Sequence, residues 1–236
     1  MTTTSEPTDP TRFHKVIISL AVVVLFAALT FLVVSRFVTR GAETRVAVIG
    51  DSLTAQSTWP IIEALNSHGY EATVAGENSA TINDRLRQIE SLTLPGSAEI
   101  VVIALGTNNA FFASVDDSRR RTLSDSQRDV HEAMSRAFEG ERGQTWKPST
   151  RCLVWVNVGD QSPMMGLDKN APALNRAIED EASDFTKRGE PVVVADWANL
   201  SRNHPEWFIG DKVHFTPQGE QAFAQLIRQA VQRCPT

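Results

Sequence analysis

The chain has 236 residues, 42% hydrophobic and 22% charged, enough for one globular domain beside one membrane segment. Its net charge of -5 includes no long basic run, which argues against a nucleic-acid groove. The two cysteines are too far apart in sequence for a zinc site, and neither a G-x-x-x-x-G-K-[ST] phosphate loop nor an H-E-x-x-H motif occurs.

Residues 1–15 are rich in Thr, Ser and Pro and read as a disordered tail. Val16 to Val34 is apolar except for Ser19 and Thr30, with Arg12, His14 and Lys15 before it and Arg36 and Arg40 after it. At about 1.5 Å per residue this run matches the hydrocarbon thickness of a bilayer, about 30 Å. A cleaved signal peptide has a shorter apolar region closed by small residues, whereas Arg36, Phe37, Val38, Thr39 and Arg40 follow here. We therefore expect a retained transmembrane helix over 16–38, a linker over 39–44 and a domain over 45–236. The flanking positive charges nearly balance, so the positive-inside rule gives little direction. The short N-terminal tail favours an extracytoplasmic domain on a single-pass anchor in the cell membrane.

Beyond residue 44, strand and helix patterns alternate. Arg45–Ile49, Glu71–Val74, Glu99–Leu105, Cys152–Val158 and Pro191–Asp196 are short, apolar and rich in β-branched residues, as buried parallel strands are. Helices are expected over Pro60–His68, Ile82–Ser91, Ser124–Glu139, Ala173–Arg188 and Pro217–Arg233, with Thr216 as the cap of the last. This alternation implies an α/β fold with a parallel sheet and helices on both faces, and a ligand site at the carboxyl ends of the strands. The loops Ala110–Leu123, with its Arg119–Arg121 triplet, and Gly159–Pro172 leave those same ends. Cys152 opens a strand and Cys234 closes the last helix, which puts both at the opposite edge. A disulfide is geometrically possible there, as are two unpaired thiols.

The strand Val46–Ile49 runs into Gly50-Asp51-Ser52. A serine hydroxyl needs a base to become a nucleophile, and the base is usually a histidine held by a carboxylate. Of the five histidines, His14, His68, His131 and His204 sit at a membrane border, a helix end, a charged helix and a loop. His214 differs, because it follows Asp211 in a loop that emerges at the serine's edge of the sheet. Asn108 lies just past the third strand, where its amide can reach that edge; taken alone, such an Asn is usually a turn residue.

Gly50-Asp51-Ser52-Leu53, Gly106-Thr107-Asn108-Asn109 and Asp211-Lys212-Val213-His214 resemble, in order and spacing, the three sequence blocks of the SGNH/GDSL hydrolases. Phe215-Thr216-Pro217-Gln218-Gly219 continues the third block into a helix, and the resemblance covers nearly all of residues 45–233. It implies a flavodoxin-like three-layer α/β/α domain with a five-stranded parallel sheet. It also implies Ser52 as nucleophile, His214 as base and Asp211 as the group that orients it. The oxyanion donors would be the Ser52 N–H, Asn108 and a backbone N–H after the second strand, where by register Ser79 stands in the place of the family's glycine and Gly76 is the alternative. Asn109 stands in the place of its aspartate. The implied activity is ester hydrolysis through an acyl-enzyme, with no metal or organic cofactor, on a small-molecule, lipid or envelope-glycan ester. Two alternatives are an O-acyltransferase, in which a sugar hydroxyl replaces water, and a non-catalytic glycan-binding module using Trp59, Trp155, Trp197 and Trp207.

Overall fold

In the computed structural model, residues 44–114, 122–139 and 148–235 are described. The expected tail, membrane helix and nearly all of the linker fall outside them, as does the Arg119–Arg121 triplet. Among the described residues no helix is long and apolar enough to cross a membrane.

The domain begins at Thr44, which opens the first strand instead of closing the linker. The strands are β1 (Thr44–Gly50), β2 (Tyr70–Gly76), β3 (Ile100–Ala104), β4 (Cys152–Val156) and β5 (Val192–Ala195). All neighbouring pairs are parallel, in the order β2-β1-β3-β4-β5. The central strands β3 and β4 are buried along their whole length, while the edge strands β2 and β5 are only half covered. Continuous apolar runs suit the first environment, since helices cover both faces of a parallel sheet.

The helices are α1 (Ser52–Gln56), α2 (Thr58–Asn66), α3 (Ile82–Ser91), α4 (Thr107–Phe112), α5 (Leu123–Phe138), α6 (Leu167–Lys187), α7 (Trp197–Ser201) and α8 (Pro217–Val231). Helix α5 packs against both α3 and α6, and α2 packs against α8, which gives the two outer layers of an α/β/α sandwich. α3 has the bounds expected from sequence. Its Thr81 hydroxyl accepts from the Asp84 N–H while the Asp84 carboxylate accepts from the Thr81 N–H, a reciprocal cap.

Three short helices, α1, α4 and α7, were not expected. Each begins directly after a strand and is too short to show a helical period. α6 begins six residues earlier than expected, ahead of Pro172. A proline this close to a helix start removes one backbone hydrogen bond, and Leu167 and Ala171, both buried, hold the preceding turn onto the core. Asn170 ties that turn to α4, donating to the Ala110 carbonyl at 2.8 Å.

Cys152 at the start of β4 and Cys234 beyond α8 are disulfide-bonded, with Cα atoms 5.8 Å apart. The alternative of two unpaired thiols therefore falls. The bond closes the amino edge of the sheet. The crevice where the chain order reverses, between β1 and β3, opens at the other edge.

Candidate active site

β1 and β3 stay in register to Gly50 and Ala104, so the turns that follow both strands flank the crevice. A side chain at position 50 would bring its Cβ to 2.7 Å from the Ala104 carbonyl oxygen, so only glycine lets β1 end this close to β3. Asp51 next turns inward. Its side chain is buried and accepts from the Leu53 N–H at 3.0 Å, capping α1. Ser52 is thereby the first residue of α1, at the carboxyl edge of the sheet.

The Ser52 hydroxyl lies 3.1 Å from His214 Nε2, and His214 Nδ1 lies 2.7 Å from Asp211 Oδ2. Asp211 Oδ1 accepts from the backbone N–H groups of Val213 and His214, at 2.9 and 3.0 Å. Lys212 takes up the tight turn in the left-handed region, at φ 56°. With a carboxylate against Nδ1, the fitting neutral tautomer carries its proton there and offers Nε2 as acceptor to the serine hydroxyl. Partial burial pushes the Asp211 carboxyl up, but the hydrogen bonds from the His214 ring and from the two N–H groups outweigh it and leave the pKa below the usual value. Asp51 shows the opposite balance. Burial raises its pKa to about 6, against the weaker opposing effects of the Leu53 N–H and the nearby Thr107 hydroxyl.

Ser52, His214, Ser79 and Asn108 line one cleft of about 690 Å³. Ser79 sits at φ 61°, so it keeps the left-handed backbone that a glycine would adopt there. Neither the Ser52 nor the Ser79 N–H has an intramolecular acceptor among the described residues. Asn108 donates one amide N–H to the Ala80 carbonyl at 3.1 Å, tying itself to the loop that carries Ser79, and its second N–H has no acceptor among the described residues. Asn109 turns away into the core. It accepts from the Ile82 N–H at 3.0 Å and donates to the Ser126 hydroxyl at 3.2 Å, a pairing that uses both ends of an amide.

Two further features complete the site, the first of which had no sequence signal. Ser162, buried in the loop after β4, donates to the Asp211 carbonyl at 2.7 Å from 49 residues away. Phe111 and Phe112 from α4 and Met165 from the loop before α6 form an apolar wall of the cleft, so both of the long loops noted in the sequence supply residues to it.

The other described histidines have partners elsewhere: Ala64 O for His68, Glu181 for His131 and Glu206 for His204. His14 is outside the described residues. No cluster of His, Cys, Asp and Glu able to hold a metal ion occurs among the described residues. Trp155 and Trp197 are core residues, 0% and 2% exposed, which removes them as sugar-stacking surfaces. Trp207 is partly buried and stacks on His204, with ring centroids 3.8 Å apart, leaving Trp59 as the exposed one of the four.

Residues 48–222 match the family model described as the GDSL-like Lipase/Acylhydrolase family. No curated protein matches the chain. Among solved structures it is similar to the C-terminal catalytic domain of Streptococcus pneumoniae peptidoglycan O-acetyltransferase A, with TM-score 0.55 and 18% identity over 82% of this chain and 93% of that one. It is also similar to the acetylxylan esterase Axe2 from Geobacillus stearothermophilus, with TM-score 0.62 and 12% identity over 81% and 95%. A lipase/acylhydrolase from Enterococcus faecalis gives TM-score 0.59 and 14% identity over 81% and 97%. At these identities the likeness is one of fold.

Proposed function

The chain belongs to the GDSL-like lipase/acylhydrolase family, and from that membership we propose that it is a membrane-anchored serine esterase using Ser52, His214 and Asp211. The observation that carries this reading is the continuous hydrogen-bonded line Ser52–His214–Asp211, of which Ser52 and His214 line the cleft.

In the proposed mechanism Ser52 Oγ attacks the ester carbonyl carbon and gives its proton to His214 Nε2. Negative charge develops on the carbonyl oxygen, where the N–H groups of Ser52 and Ser79 and the Asn108 amide receive it. Asp211 stays ionised and stabilises the imidazolium. The C–O bond to the alcohol then breaks, and His214 returns the proton to the leaving oxygen. Water, deprotonated by the same ring, attacks the acyl-Ser52 carbonyl, and collapse of the second tetrahedral intermediate releases the acid and restores Ser52.

An O-acyltransferase is the second reading, favoured by the likeness to a peptidoglycan O-acetyltransferase catalytic domain. It differs only in the last step, where a sugar hydroxyl replaces water. The anchor over 16–38 and an extracytoplasmic domain belong to the proposal too. The Cys152–Cys234 bond supports that side of the membrane, since disulfides persist in oxidising compartments.

The test is hydrolysis of short-chain aryl esters by the full chain in detergent, with and without a glycan acceptor. Release of free acid by the wild type, lost in Ser52→Ala, supports the esterase. Acylated glycan formed at the expense of free acid would favour the transferase, and no turnover above Ser52→Ala across several acyl lengths would sink both.

A further inference from the structure

The loop that carries His214 is held to itself and, at the Asp211 carbonyl, to the Ser162 hydroxyl after β4. Ile209 donates its N–H to the His214 carbonyl at 2.9 Å, Thr216 donates to the Trp207 carbonyl at 2.9 Å, and Phe208 and Phe215 form an antiparallel bridge. None of these bonds fixes the loop relative to Ser52. Gln56 does. One turn after Ser52 on α1, its amide Nε2 donates to the Phe215 carbonyl at 2.7 Å and its Oε1 accepts from the Phe215 N–H at 3.1 Å. Among the described residues, this pair and the Ser52–His214 contact are the only hydrogen bonds joining α1 to the loop over 209–216.

We infer that Gln56 is a positioning residue, a two-bond clamp that sets the distance between Ser52 and His214 by gripping the backbone one residue past the histidine. The inference rests on the reading of Ser52 and His214 as nucleophile and base. A planar amide offers a donor and an acceptor side by side, and the N–H and C=O of the single residue Phe215 present the complementary pair. A carboxylate lacks the donor and an alkyl group lacks both. Spacing matters because attack requires the serine proton to reach Nε2 within hydrogen-bond range, and displacement by about 1 Å can cost about 10²-fold in rate. Gln56 is itself exposed, so the fold does not depend on it for core packing. It also lines the cleft, so contact with substrate is the competing role.

The full chain in detergent separates the two. For Gln56→Leu, which removes both bonds, we expect kcat on an aryl ester to fall about tenfold with KM nearly unchanged. The rate of Ser52 labelling by a small fluorophosphonate should fall in parallel, since labelling needs the base but not the substrate's alcohol. Gln56→Glu keeps the acceptor for the Phe215 N–H and loses the donor, so its kcat on the pH plateau should lie between the two. It decides alone if circular dichroism shows Gln56→Leu unfolded. Unchanged kcat and labelling, or a raised KM with unchanged kcat, would overturn the clamp. Both outcomes are read against an active wild type. A wild type that neither turns over nor labels would instead bring down the functional reading, and the clamp with it.

Discussion

Two aspartates stand near the serine and histidine, and their surroundings assign them opposite electrostatic characters. Asp211 accepts three hydrogen bonds and is held ionised, while Asp51 is buried and shifted up to about 6. Asp211→Asn should therefore lower kcat by about 10³- to 10⁴-fold, because an amide pointing N–H at Nδ1 favours the tautomer that cannot accept the serine proton. Steady-state kinetics at fixed pH measures this. Asp51→Asn should act on stability instead. In the folded state Asp51 holds its proton up to about pH 6, but in the unfolded chain it releases it near 3.8. Wild-type stability accordingly falls as pH rises between those values and levels off above them. Relative to the wild type, Asp51→Asn should gain about 2 kcal/mol between pH 4 and pH 7 in urea unfolding. A difference independent of pH would contradict the buried, neutral assignment. The third sequence block already pairs Asp211 with His214, and the fold adds the physical reason that Asp51 takes no such part: it is buried and accepts from the Leu53 N–H, while Asp211 faces the His214 ring.

At the scale of elements, the strands were readable because the sheet is buried on both faces and its residues are almost all apolar. Boundaries slipped where a short helix follows a strand without a period of its own, as at α1, α4 and α7. The proline at 172 also misled, since buried Leu167 and Ala171 outweigh the one hydrogen bond it removes. Those unread helices matter for the site. α1 presents Ser52 and Gln56, and α4 presents Asn108 and the Phe111–Phe112 wall. For Asn108→Ala we expect about a 10²-fold loss in kcat, with the Ser79 loop also loosened by loss of the bond to Ala80. The disulfide acts at the far edge of the sheet. It closes a sequence separation of 82 residues, so replacing both cysteines by Ser should lower unfolding free energy by about 2–4 kcal/mol. Because Cys152 and Cys234 lie away from the cleft, kcat of the folded double variant should stay within about twofold of wild type. A larger fall in kcat at unchanged stability would contradict this division between the two edges.

For the molecule as a whole, the α/β architecture and the crevice between β1 and β3 follow from the alternation of elements and bring three distant sequence blocks to one edge. Gln56 and Ser162 were invisible to that reading, because each acts through a backbone group 159 or 49 residues away. The apolar run over 16–34 leads to a prediction at this scale. The full chain should fractionate with membranes and resist alkaline carbonate extraction, and deleting residues 1–40 should release it; extraction of the full chain by carbonate would contradict a spanning anchor. The proposed mechanism requires Ser52 to become covalently acylated during turnover. Its most direct test is rapid acid quench of the full chain turning over an aryl ester, followed by peptide mass mapping. One acyl group is expected on Ser52, absent from Ser52→Ala and sharply reduced in His214→Ala. Turnover with no adduct, or with the acyl group on another residue, would contradict it.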